Sequence, residues 1–183
     1  MKSRTIDPRH LDVEAFAKAG AEIHGEWPLK ALRRLVDAAH AQALPSEGDV
    51  VRWKAQGAIR PVRGAAPQTW LEVEADTHLS LVCQRCLGPV STRVEAQRSF
   101  LFAIDEDTAA QLDADSEDDV LVTTRALDLR ALIEDELLLA LPLVPRHDVC
   151  PNPLLAVHDD EAAEKLPHPF AALAALKNGG SGG

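Results

Sequence analysis

Between Asp49 and Phe100 the sequence alternates apolar and polar residues with a period of two, the spacing of half-buried strands. Val51, Trp53, Ala55 and Ile59 share one side of the first run, and Arg52, Lys54 and Gln56 the other. Residues 60–67 hold Pro61, Gly64 and Pro67 and read as a loop. Trp70–Asp76 and Leu79–Val82 are two further strand candidates. Val90, Thr92, Val94, Ala96 and Phe100 then mark one face of a longer strand after the turn at Gly88-Pro89. Short consecutive strands joined by turns form an antiparallel meander, and a meander this long constrains the rest of the chain to cover it.

Helical spacing supplies the cover. Asp7-Pro8 opens a helix carrying Leu11, Ala15, Phe16 and Ala19, which Gly20 stops. Ala21–Trp27 is a short strand ended by Pro28. Leu29–Leu44 reads as a second helix through Leu32, Leu35, Val36 and Ala39. Asp128 caps a third over Leu129–Leu141, whose core stripe is Leu129, Leu132, Ile133, Leu137, Ala140 and Leu141, with Pro142 as its stop. Glu134, Asp135 and Glu136 point in three directions and read as the solvated side of this helix, with Arg130 placed to pair with Glu134. Val120–Thr123 is a last strand, and Phe170–Lys177 a short terminal helix. The expected fold is α+β: an antiparallel sheet of about five or six strands, open or closed in a barrel-like way, packed by two or three helices. One domain over 1–177 is expected, with a mobile acidic loop at 105–119 and a Gly/Ser-rich tail at 178–183.

Charge is divided along the chain. Residues 1–100 carry 14 Lys and Arg against 12 Asp and Glu, a net of +2, and residues 101–183 carry 5 against 17, a net of −12. Such a protein is a poor general phosphate binder, because nonspecific nucleic-acid affinity comes from Lys and Arg releasing counterions. Aromatic residues are 4 % of the chain, with no Tyr, so stacking platforms for bases are scarce. Local contact with a partner falls to Arg52, Lys54, Arg60, Arg63 and Arg85, if the sheet brings them together, whereas the −12 half suits a basic protein. Residues 105–119 hold eight acidic residues and no glycine, which matches no calcium loop. The first twenty residues mix charges without an apolar segment, so no secretory signal is expected, and the longest apolar run, Leu137–Val144, is far short of a membrane span.

Chemistry concentrates at Cys83-Gln84-Arg85-Cys86. Two cysteines two residues apart at a strand turn are the usual half of a structural zinc site, and His147 with Cys150 supplies a second half of matching chemistry. Gly88 would let the backbone approach the sulfurs. Two other readings stand beside this one. Reduced cysteines at a sheet edge need no function, and a redox pair wants its C-x-x-C at a helix start rather than a strand turn. An odd cysteine count with no disulfide framework fits a reducing cytoplasm.

Taken together, Cys83-Gln84-Arg85-Cys86-Leu87, the run Asp128-Leu129-x-x-Leu132-Ile133-Glu134-Asp135-Glu136-Leu137-x-Leu139-x-Leu141-Pro142-Leu143-Val144-Pro145, then His147 and Cys150, and the closing Pro169-Phe170-x-x-Leu173-x-x-Leu176-Lys177 resemble the YceD family. The resemblance implies a bacterial cytoplasmic protein needed for accumulation of the large-subunit (23S) ribosomal RNA, in a family with no established catalytic activity. The partners it implies are ribosome-assembly components, either that RNA or a ribosomal or assembly protein, with no membrane and no small-molecule substrate. The residues leave two rivals: an adaptor or chaperone for a basic ribosomal protein, and a thiol-dependent redox or nuclease-associated enzyme.

Overall fold

A computed structural model of the chain describes residues 6–115 and 118–151, with the side chain of Asp115 left out. The chain divides into two units, Met1–Cys150 and Pro151–Gly183. The terminal helix expected at Phe170–Lys177 and the tail at 178–183 lie outside the described residues.

The first unit is α+β, a five-stranded sheet in the order β1 (Glu22–Pro28), β2 (Val50–Arg60), β3 (Gln68–Val82), β4 (Pro89–Ala103) and β5 (Asp119–Val122). The first four are antiparallel neighbours, and β5 runs parallel to β4. The sheet does not close into a barrel: its outer strands are β1 and the four-residue β5, which do not pair. Two expected strands are one, because Thr77, between them, is buried and its hydroxyl donates to the Val50 carbonyl at 2.9 Å. β3 thus runs for 15 residues beside a β4 of equal length.

On one face lie α1 (Val13–Lys18), α2 (Arg33–Asp37) and α4 (Leu129–Leu139), over a core that includes Leu35, Val51, Leu71, Val73, Leu79, Ile133 and Leu137. Asp12 rather than Asp7 caps α1, its carboxylate accepting from the Ala15 N–H, while Asp7 folds a turn onto Arg9 and His10. The expected Leu29–Leu44 helix is broken at Leu32 into a 3₁₀ turn, Leu29–Ala31, and the short α2. Leu29, Leu32 and Leu35 are spaced by three, which suits three residues per turn as well as an α-helix, and all three are buried.

The acidic stretch expected as a loop contains a helix, α3 (Glu106–Asp115), packed against β4 and β5. Asp105 starts it by accepting from the Thr108 N–H at 2.8 Å, and Glu106 and Asp107 sit in a first turn whose dipole favours negative charge. Residues Phe100–Ala103 of β4 are all buried, so this end of the strand is covered on both faces.

Two of the carboxylates read as solvated are engaged in the packing. Glu134, 12 % exposed, accepts from the backbone N–H groups of Arg34 and Leu35 at 2.7 and 3.2 Å and pairs with the Arg34 guanidinium. No side chain of α2's own cap position bonds its N–H groups, so α4 caps α2 across the core. Glu136 is 7 % exposed and accepts from Arg98 at 3.1 Å; burial pushes its carboxyl up, against the Arg98 charge. Asp135 is half exposed and also meets Arg34.

Glu134→Ala is expected to cost about 1–2 kcal/mol, the scale of a lost helix cap, and Glu134→Gln less. Leu137→Ala should cost about 2–5 kcal/mol as a core deletion. A Cβ on Gly57 would sit 2.7 Å from Phe16 and 2.8 Å from the Ala17 backbone, so Gly57→Ala should cost about 1–3 kcal/mol by pushing α1 off β2. Urea unfolding of the full chain measures all four.

Candidate metal centre

The β3–β4 connection is a six-residue knuckle, Cys83–Gly88. The Leu87 N–H donates to the Cys83 carbonyl and the Cys83 N–H to the Gly88 carbonyl, both at 2.9 Å. The left-handed backbone position of the knuckle is Leu87, with φ of +60°, and a Cβ on Gly88 would sit 3.7 Å from the Cys86 sulfur, an ordinary contact. This curl aims the amides of Arg85 and Cys86 back at the Cys83 sulfur.

The chain leaving α4 returns to the same place. Pro142 follows the helix, and the Gln84 N–H of the knuckle donates to the Pro145 carbonyl at 2.9 Å. That bond delivers His147 and Cys150. One atom each of Cys83, Cys86, His147 and Cys150 lies within 4.8 Å of all the others, a set that could hold a metal ion. Cys83 Sγ is 3.9 Å from Cys150 Sγ, and Cys86 Sγ is 3.5 Å from His147 Nδ1. The Pro89 carbonyl, 3.0 Å from Nε2, can only accept, so Nε2 carries the ring hydrogen and Nδ1 presents its lone pair to the sulfurs.

Electrostatics distinguish the sulfurs. Burial opposes a charge on Cys83, but the backbone N–H groups of Cys86, Arg85 and His147 outweigh it and hold this thiol down at about 5. Burial pushes the Cys150 thiol up, and the hydrogen bonds and charges of Cys86 and Cys83 push it further. One thiolate is thus favoured and the next is opposed by its neighbour, an imbalance that a cation among the sulfurs would remove.

His40 is a part of this site that the sequence did not reveal. It is 8 % exposed, and the Gln42 N–H donates to its Nδ1 at 3.1 Å. Its Nε2–H therefore donates to the Leu87 carbonyl at 3.1 Å, holding the one strained residue of the knuckle. The backbone N–H of His40 also donates to Ser80 in β3. Lone histidines in a loop carry no spacing signal, and only the fold pairs this one with the knuckle.

The five cations expected to form one patch are not brought together. Arg60 pairs in register with Gln68 and Arg63 lies in the following loop, whereas Arg85 follows Val82 at the other end of β3, roughly 45 Å away at about 3.3 Å per residue. Along the outer face of β2, Arg52 pairs with Asp76, Lys54 with Glu22 at 3.1 Å, and Arg60 with Glu72 at 2.5 Å while lying over Trp70. The trough across this face, about 460 Å³, is lined by Glu74, Asp76 and Glu95 as well as Arg52 and Lys54. Arg85 instead shares a recess of about 380 Å³ with Val144, Arg146, His147 and Asp148.

His40→Ala is expected to loosen the knuckle, lowering stability by about 1–3 kcal/mol, since the Leu87 carbonyl and the Gln42 N–H lose their partner together. Thermal unfolding and amide exchange at Leu87 check this.

Residues 71–177 match the family model described as large ribosomal RNA subunit accumulation protein YceD. A protein of Haemophilus influenzae with that same name is 35 % identical over 105 residues, which cover 54 % of this chain and 60 % of that relative. The aligned stretch therefore spans less than two thirds of the relative's length. No solved structure matches the chain. The matched stretch contains the knuckle, α4 and the returning His147–Cys150 segment, and the chain belongs to the YceD family.

Proposed function

We propose that this chain promotes accumulation of large-subunit (23S) ribosomal RNA in the bacterial cytoplasm by binding a component of the assembling subunit, without catalysing a reaction, and that Cys83, Cys86, His147 and Cys150 hold a structural zinc ion. Family membership supports the first part, since the relative is named for RNA accumulation. The observation that carries the second is the meeting of three sulfurs and one imidazole nitrogen. Zinc bonds of about 2.0–2.3 Å imply ligand–ligand edges of about 3.6–3.8 Å in a tetrahedron, close to the 3.5 and 3.9 Å pairs described here. A four-ligand protein set is the closed arrangement of a structural site, whereas a catalytic zinc keeps a position open. The carboxylates of α4 give no acid–base pair, because Arg34 and Arg98 occupy them.

The acidic helix α3 favours a second reading, an adaptor for a basic ribosomal protein. Under it, Asp107→Lys with Asp113→Lys should slow association with that protein and leave the metal content intact, whereas under the first reading both are unchanged.

Protein purified without chelator is expected to carry one zinc per chain by elemental analysis, and Cys83→Ser or Cys150→Ser to lose it and to fail to restore large-subunit RNA in cells lacking the chain. Metal-free wild-type protein of full stability would overturn the zinc assignment. Normal large-subunit RNA in cells lacking the chain would overturn the function.

A further inference from the structure

We propose that the recess between the knuckle and the returning segment is a clamp for the phosphodiester backbone of RNA, with Arg85 and Arg146 as its two cations. The proposal rests on the reading above and adds to it the partner's chemistry and the place of contact.

The handling of cations on this surface is uneven. Arg34, Arg52, Lys54, Arg60, Arg93 and Arg98 each sit against a carboxylate. Among the described residues no ion pair engages Arg85 or Arg146, as none engages Arg9, Arg33, Arg63, Arg125 or Arg130, but Arg85 and Arg146 are both exposed and share one recess. They line one recess together with His147, Val144 and a single carboxylate, Asp148, so its formal balance is +1 in a chain of −10. Guanidinium forks suit phosphate oxygens, which accept two parallel N–H bonds from each.

The two arginines come from distant parts of the chain and are held by neighbours of the ligands. Arg85 lies between Cys83 and Cys86, Arg146 directly precedes His147, and the Gln84–Pro145 hydrogen bond joins the two segments. Opening the Cys3His set would release the second segment and separate the arginines. The one apolar side chain lining the recess, Val144 at 54 % exposure, is aliphatic, and the one ring, His147, turns its Nδ1 to the sulfurs and its Nε2 to the Pro89 carbonyl. They offer no stacking surface for a base, so the clamp reads the backbone and not the sequence.

The test uses the full-length protein with its metal, an unstructured mixed-sequence RNA oligonucleotide labelled for fluorescence anisotropy, and a salt series. Arg85→Ala and Arg146→Ala should each weaken binding about three- to tenfold at low salt. Each should make the log–log salt slope shallower by about 0.7, the value per single-strand phosphate contact. Metal content and unfolding midpoint should stay at wild-type values, and a scrambled oligonucleotide should bind equally. Removing the metal should weaken wild-type binding as much as the double variant does. Loss of binding on Arg52→Ala but not on Arg85→Ala, or a tenfold sequence preference, would overturn the clamp. If wild-type protein binds no RNA, yet Arg85→Ala with Arg146→Ala still lowers large-subunit RNA in cells, the recess serves a protein carboxylate and the clamp is wrong while the functional reading survives. Normal RNA levels in cells lacking the chain would instead remove that functional reading.

Discussion

The long β3–β4 hairpin is the interaction on which the rest depends. Fourteen paired positions run from Thr69–Phe102 to Val82–Pro89, and each end does a different task. At one end, Phe100–Ala103 are covered on both faces and accept the parallel strand β5. At the other, the turn is the Cys83–Gly88 knuckle that carries two of the four candidate ligands. Because the register is fixed over so many residues, the knuckle's position relative to the core is set by the sheet and not by a loop. A sulfur presented from such a base is pre-positioned, and the order it needs was met when the sheet formed.

The other half of the site depends on α4. This helix lies on the sheet through Leu129, Ile133 and Leu137, holds α2 by Glu134, and ends at Leu139, so that the chain turns back toward the knuckle. The same three-residue acidic run that looks solvated in sequence therefore joins three elements: α2 through Glu134 and Asp135, and β4 through Arg98 with Glu136. Side chains read as separate surface charges are, in the fold, the fasteners of the helical layer.

What could be read from the sequence follows from the range of the interaction. Strand alternation and the spacing of Cys83, Cys86, His147 and Cys150 are local patterns with a chemical meaning, and the structure brings those four residues together. Thr77 as a buried strand residue was not legible, since its partner is the Val50 carbonyl, 27 residues away. Glu134 as the cap of α2 was hidden by a separation of 100 residues, and His40 by a partner that is a backbone oxygen. A single basic patch depended on the sheet gathering its cations, and that depends on register rather than on sequence distance: the sheet sets Arg60 and Arg85 toward opposite ends of β3. The acidic stretch was misread because composition outweighed the cap at Asp105, which alone signals a helix start.

The pairing of Cys83 with Cys150 across 67 residues has a consequence in time. On a ribosome the knuckle emerges early, with only two of its four ligands, and the hairpin can form while the partner side chains have yet to be synthesised. The set becomes complete only after α4 has emerged, docked and turned back. A two-thiol knuckle is a weak and exchangeable metal ligand, and a four-ligand one is a trap. The joining of knuckle and returning segment, and the surface recess between them, thus cannot form in the nascent chain until the segment after α4 has been made. The chain cannot offer that surface to a partner until nearly all of its first unit is built.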